Sequence, residues 1–244
     1  MNVEVDVVND EELALLHLRG QWKTKEWLLN NGMQILKKDK FICQGCGFES
    51  SPTPEHPDGL MIPINREHSA YLPVTEEGHT LCAFCFASIA TNISTGFLLN
   101  DRREDKKIGY LVRIPVLKQH ELNLVTMLCN AIIYQEDSAS QDYFEQSLVE
   151  SARSFMLALK GNSSSVNNSL PFPDVSEEDY MRAVALLPND LNEFRKKALN
   201  QYRWLPNYEA WGELGAYMAK HVLQSQVSQL LDKVKKAITV QEGS

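Results

Sequence analysis

Two Cys-x-x-Cys pairs constrain this chain more than any other feature of its 244 residues. The first is Cys43-Gln-Gly-Cys46 and the second is Cys82-Ala-Phe-Cys85. A pair at this spacing puts two thiolates on one tight turn. Small residues beside the second cysteine let backbone amides turn toward the sulfurs, and Gly45 and Gly47 flank Cys46. Two such turns brought together give four sulfur donors in a tetrahedron, which suits zinc. The spacing therefore predicts one structural Zn2+ held by Cys43, Cys46, Cys82 and Cys85. Four thiolates leave no open position for water, so the metal is expected to hold the fold and do no chemistry. The competing readings are buried free thiols at a chance spacing, or a redox dithiol. The redox reading is the weaker, because neither pair shows a clear strand-to-helix context with a thiolate at the helix start.

The 35 residues between the pairs exceed a minimal zinc ribbon and should hold a strand or hairpin of their own. Leu60 to Ile64 reads as that strand, and Ala83 to about Ser94 as a helix leaving the second pair. The fifth cysteine, Cys129, stands alone in an apolar helical stretch and is expected in the core. Five cysteines in a chain read as cytosolic point to metal and not to disulfides.

Charge narrows the partners. The chain has 24 basic and 32 acidic side chains, a formal charge of −8. That balance favours basic or neutral protein partners over a nucleic-acid backbone, which needs clustered Lys and Arg. The acidic start, MNVEVDVVNDEE, predicts no signal peptide. No stretch approaches ~20 consecutive apolar residues, so no direct membrane insertion is expected.

Along the chain, Val3, Val5 and Val7 alternate with polar residues as in a short strand. Leu13 to Trp22 is ambiguous between strand and helix, and Thr24 reads as the cap of a helix running to about Lys38. Asn100 to Lys107 is polar and reads as an exposed loop. Ile108 to Ile114 reads as a strand ending at Pro115. Gln119 to Tyr134 is helical in period, with Leu122, Val125, Leu128, Cys129, Ile132 and Ile133 on one apolar face. A second helix follows from about Ser140 to Lys160. Gly161 to Ser169 is a turn-rich linker. Ser176-Glu-Glu-Asp179 reads as a helix start and Pro188 as its stop. Further helices are expected from about Leu191 to Trp204 and from about Tyr208 to Ile238. The aromatic run from Tyr202 to Trp211 suits either a partner anchor or packing at a helix corner. The amphipathic stripe Val227, Leu230, Leu231, Val234 and Ile238 suits a packed terminal helix or a partner-binding one.

Zinc turns that bracket a hairpin and precede a helix are similar to the HNH nuclease fold. In that family a His at the end of a hairpin strand acts as general base. The matching stretch, Leu60-Met-Ile-Pro-Ile-Asn65-Arg66, has no His. His56, His68 and His79 lie between the cysteine pairs and are read as surface or supporting residues. The surrounding carboxylates, against the single base Arg66, disfavour a phosphate-gripping surface. No phosphate loop, zinc-protease His pair or nucleophile elbow appears.

Three stretches carry a closer resemblance: Phe41-Ile-Cys-Gln-Gly-Cys-Gly-Phe48, His79-Thr-Leu-Cys-Ala-Phe-Cys-Phe86, and Gly109-Tyr-Leu-Val-Arg-Ile-Pro115 followed by Gln119-His-Glu-Leu-Asn123. Over roughly residues 20–135 the chain resembles the DotN/IcmJ family, the HNH-like zinc subunit of the type IVB (Dot/Icm) coupling complex. The resemblance and the elements read along the chain together predict an α+β fold: a small zinc-bearing, HNH-like ββα core, as the resemblance implies, followed by a mainly helical C-terminal part, as the residue pattern predicts. The corresponding division is an HNH-like domain over 1–115, a helical pair packed on it over 116–160, a linker over 161–175 and a helical region over 176–244. It further implies a non-catalytic adaptor that binds the C-terminal tail of the coupling ATPase and other coupling-complex subunits. Its place would be the cytoplasm, peripheral to the inner membrane through that ATPase. The alternative is an active or repurposed HNH-type DNA nuclease.

Overall fold

Helices form the framework, and antiparallel strand pairs pin it at separate points. The computed structural model describes residues 3–8, 11–64, 78–96, 98–101, 104–135, 145–161 and 175–222. Among them the chain is a mixed helix-and-sheet protein with three two-stranded sheets. None of its described helices is long and apolar enough to cross a membrane.

Helix α1 (Glu11–Leu18) leads through a 3-10 turn, Gln21–Thr24, into α2 (Glu26–Lys38). Strands β1 (Met61–Ile64) and β2 (His79–Cys82) pair antiparallel, with Met61 opposite Cys82 and Ile64 opposite His79. Strand β2 runs directly into α3 (Ala83–Ile89), and a break at Ala90 separates α3 from α4 (Thr91–Ser94). Strands β3 (Leu98–Asp101) and β4 (Glu104–Lys107) form a second pair. Then come β5 (Gly109–Val112), α5 (Gln119–Ile133) and α6 (Gln146–Gly161). The C-terminal stretch supplies α7 (Glu177–Ala185), α8 (Asn192–Leu199), β6 (Arg203–Pro206) and α9 (Gly212–His221). Strand β6 returns to pair with β5, Gly109 opposite Pro206 and Val112 opposite Arg203.

One core joins the N-terminal valines, β1, β2 and α3 to residues as distant as Trp204, Tyr217 and Val222. A smaller cluster, including Leu122, Ile133, Val149, Met156 and Leu205, fills the space between α5 and α6. Cys129 packs against this second cluster, and burial pushes its thiol up to about 11. Helix α7 starts as its sequence predicts: the Ser176 hydroxyl accepts from the Asp179 amide at 3.1 Å.

Several expectations are corrected. Val3, Val5 and Val7 are buried in alternation, but among the described residues their segment pairs with no strand. Its polar groups go to α3 and α4 instead: Val8 exchanges hydrogen bonds with the Asn92 side chain at 3.0 and 3.1 Å, and the Asp6 amide donates to the Ser88 carbonyl. The ambiguous Leu13–Trp22 stretch is helix followed by a 3-10 turn. Thr24 does not cap α2; its hydroxyl donates back to Gln21 O at 2.7 Å, and Lys25 is the cap residue. Of the stretch Asn100 to Lys107, read as a loop, Asn100 and Asp101 lie in β3 and Glu104–Lys107 form β4. The helix expected to reach Trp204 ends at Leu199, and Arg203–Pro206 is a strand. The linker expected over 161–175 lies outside the described residues but for Gly161 and Val175. The stripe from Val227 to Ile238 lies wholly outside them.

His17 is an ionisable ring held almost wholly out of solvent. It is 1% exposed and its ring stacks on Trp22, with centroids 6.0 Å apart and planes 6° from parallel. Its Nδ1 lies 2.8 Å from the Leu13 carbonyl and so carries the proton. Burial lowers its pKa to about 4. Between this value and the ordinary one near 6.5, the unfolded chain binds a proton that the folded chain refuses. Stability should therefore fall as pH drops through that window, by up to about 3 kcal/mol from this residue. Urea unfolding of the parent and of His17→Gln at pH 7 and pH 4.5 reads the effect. The parent should lose more stability on acidification than the variant, and equal losses would remove His17 as the cause.

Candidate metal centre

The first cysteine pair is built by a backbone reversal. After α2, Lys40 and Phe41 take left-handed conformations, φ 55° and 57°. Within the turn the Cys43 amide donates to Phe48 O at 2.7 Å and the Gly47 amide to Cys43 O at 2.8 Å. Gly47 sits at φ 77°, which only glycine takes freely. Gly45 is required by close approach: a Cβ there would lie 2.5 Å from Val3 Cγ2 and 3.0 Å from Cys85 Sγ. The turn is fastened to β2, where Gln44 N–H donates to Thr80 O at 2.8 Å and Thr80 N–H to Asp39 Oδ2 at 2.7 Å.

The second pair lies where β2 becomes α3. Cys82 is the N-cap of α3, and its sulfur accepts from the Cys85 amide at 3.4 Å. This is a strand-to-helix junction, the context the sequence did not reveal. The dithiol reading gains nothing from it, because both pairs converge on one point. The sulfurs of Cys43, Cys46, Cys82 and Cys85 all lie within 4.8 Å of one another, with Cys46 and Cys82 at 3.7 Å. No other group of three or more potential ligands forms among the described residues. Cys43, Cys82 and Cys85 are buried and Cys46 is half-buried.

Such a cluster cannot ionise fully without a cation. Burial pushes the Cys82 thiol well above its ordinary range, and hydrogen bonding with Cys43 and Cys46, then burial, does the same to Cys85. Burial opposes ionisation of Cys43 too. Hydrogen bonds from the Cys46, Cys82 and Cys85 thiols outweigh it and hold Cys43 well below that range. The arrangement can hold one metal ion.

Sequence reasoning missed a second layer around the sulfurs. Asn123 and Gln119, on α5, are fully buried, and Asn123 Nδ2 lies 3.3 Å from Cys85 Sγ. The buried face of α5 includes Gln119, Asn123, Thr126 and Asn130, while Val125, assigned to the apolar face, is 43% exposed. The signal was a polar residue at every third or fourth position, Gln119, Asn123, Thr126 and Asn130, of a helix that is mainly apolar after its first turn.

Of the three histidines between the cysteine pairs, the two described, His56 and His79, do not join the sulfurs. His56 lies in the loop before β1 with its ring edge-on to Tyr217 at 5.2 Å. His79 opens β2. His68 lies outside the described residues. The aromatic run is mostly core: Tyr202 and Trp204 are buried, and Phe84 packs edge-on to both Trp204 and Trp211. A cleft of about 710 Å³ opens beside it, lined by His17, Trp22, His56, Asp58, Tyr134 and Trp211 among others. No protein-family model matches the chain, and neither does any curated protein.

Proposed function

We propose that this chain is a zinc-stabilised adaptor of the DotN/IcmJ kind, with an HNH-like scaffold and no catalysis of its own. It would bind the C-terminal tail of a coupling ATPase in a type IV secretion or conjugation complex and help recruit substrates. The closed four-cysteine cluster at the junction of hairpin and helix supports the reading most. A sulfur tetrahedron around zinc, with Zn–S near 2.3 Å, has an edge of about 3.8 Å. The Cys46–Cys82 distance of 3.7 Å agrees with that edge. The order β1, β2, α3 agrees with a ββα scaffold. Strand β1, Met-Ile-Pro-Ile, offers no proton-transfer group where an HNH enzyme carries its base. A rigid metal-held platform loses little entropy on binding, and an acidic one suits a tail with apolar anchors and Lys or Arg.

Co-purification of the full chain with the neighbouring coupling ATPase, followed by calorimetric titration of successive tail peptides, tests the reading. One tail segment should bind, and chelation of the metal should weaken it. Failure of every segment together with failure of the full ATPase to co-purify would sink the adaptor. Plasmid incubated with Mg2+, Mn2+ or Ni2+ should stay intact. Cutting that disappears in His56→Ala, His68→Ala or His79→Ala would favour the nuclease instead.

A further inference from the structure

The indole-bearing strand β6 and the cysteine cluster are connected by an unbroken run of side-chain amides. Trp204 presents both backbone groups to Gln119: its N–H donates to Oε1 at 2.8 Å and its carbonyl accepts from Nε2 at 2.8 Å. A backbone unit with one donor and one acceptor reads both ends of the amide, so Gln119 cannot be flipped. The second proton of Nε2 goes to Asn123 Oδ1 at 2.8 Å. With its oxygen committed, Asn123 turns its nitrogen to Cys85 Sγ at 3.3 Å and to Ser88 Oγ at 3.4 Å. The Ser88 hydroxyl itself donates to Cys85 O at 2.8 Å, leaving its oxygen to accept. Gln119, Asn123 and Ser88 are all 0% exposed, so water does not compete for these groups.

We propose that Asn123 is a positioning residue of the metal centre: its amide, oriented from β6 through Gln119, donates a hydrogen bond to the metal-bound sulfur of Cys85. The proposal rests on the four-cysteine metal reading and goes beyond it. A metal-bound thiolate has lone pairs to accept with and no proton to donate, which is what a fixed N–H donor matches. The bond spreads the thiolate charge and orients the ligand, as partners around metal ligands commonly do. The coupling is reciprocal, so the docking of β6 and the binding of metal support one another. A merely satisfied buried amide would hold the core and leave the metal's own properties untouched.

The full chain labelled with 15N-asparagine and loaded with 113Cd2+ tests this without any substitution. A scalar coupling between 113Cd and one side-chain amide proton, assigned to Asn123, is expected across the N–H···S–Cd link. In the zinc-loaded protein, Asn123→Ala and Gln119→Ala should each weaken metal affinity about tenfold to a hundredfold in competition with a chelator. In the cobalt-loaded protein, Asn123→Ala should move the sulfur-to-cobalt charge-transfer band to lower energy. One Cd2+ per chain with no coupled amide, and affinities unchanged in both variants, would overturn the proposal and leave the metal centre standing. Failure to take up one Cd2+ per chain would overturn the metal centre and this proposal with it.

Discussion

Replacing Cys82 and Cys85 together by serine should abolish metal uptake by the chain and its cooperative fold. The two thiols are 2% and 0% exposed and sit where β2 ends and α3 begins, in the middle of the larger core. Serine hydroxyls are poor ligands for a soft-thiolate site, and two remaining sulfurs cannot close a tetrahedron. A structural zinc contributes on the order of 10 kcal/mol at neutral pH. That is comparable to the whole stability of an ordinary domain, about 5–15 kcal/mol. The surrounding apolar packing of Leu81, Phe84 and Met61 does not replace it, because the first cysteine turn has few buried side chains of its own. Native mass spectrometry should show one zinc on the parent and none on the double variant. Thermal melts should show a cooperative transition in the parent that chelation abolishes. A double variant that keeps one metal, or melts like the parent, would remove the site.

Trp204→Ala should destabilise the chain by about 4 kcal/mol, the usual cost of emptying a large aromatic site. The indole is 0% exposed and packs edge-on to Phe84 with centroids 6.0 Å apart. It also presses against β5 so closely that a Cβ on Gly109 would lie 2.3 Å from its Nε1. Strands β5 and β6 hold each other in register, so the cavity should collapse only in part. Urea unfolding of the parent and variant gives the difference directly. A loss below about 1 kcal/mol would show that the strand pair relaxes into the space.

The sequence made local features legible and concealed those set by distant partners. The cysteine spacing, the Ser176 cap and the period of α5 are each written within a few residues, and each was readable. Strand β6 is four residues, Arg-Trp-Leu-Pro, inside a run of helical character. Only β5, far away in the chain, makes it a strand. Its proline is tolerated because it stands at the end of a two-stranded pair. The β3–β4 pair was hidden by composition, since Asp-Arg-Arg-Glu resembles a solvated loop. Asn123 was visible as a residue of a motif but not as a neighbour of sulfur. Polar side chains within a helical period read as its wet face. On α5 they face inward, because backbone groups of Trp204 and Trp211 and the sulfur of Cys85 need partners there.

The pairing of β5 with β6 also sets a timetable. Pro206 is synthesised about a hundred residues after its partner Gly109. At ~5–20 residues per second a nascent β5 waits for roughly 5–20 s before the matching strand exists. Through that interval β5 presents an unpaired edge and Gln119 an unused amide, while the cysteines have already been made. Closing so long a loop late in synthesis is slow, and an open strand edge invites pairing with other chains. The period of greatest exposure to misassociation is therefore fixed by where the partner strand lies in the chain, whatever the stability of the finished protein.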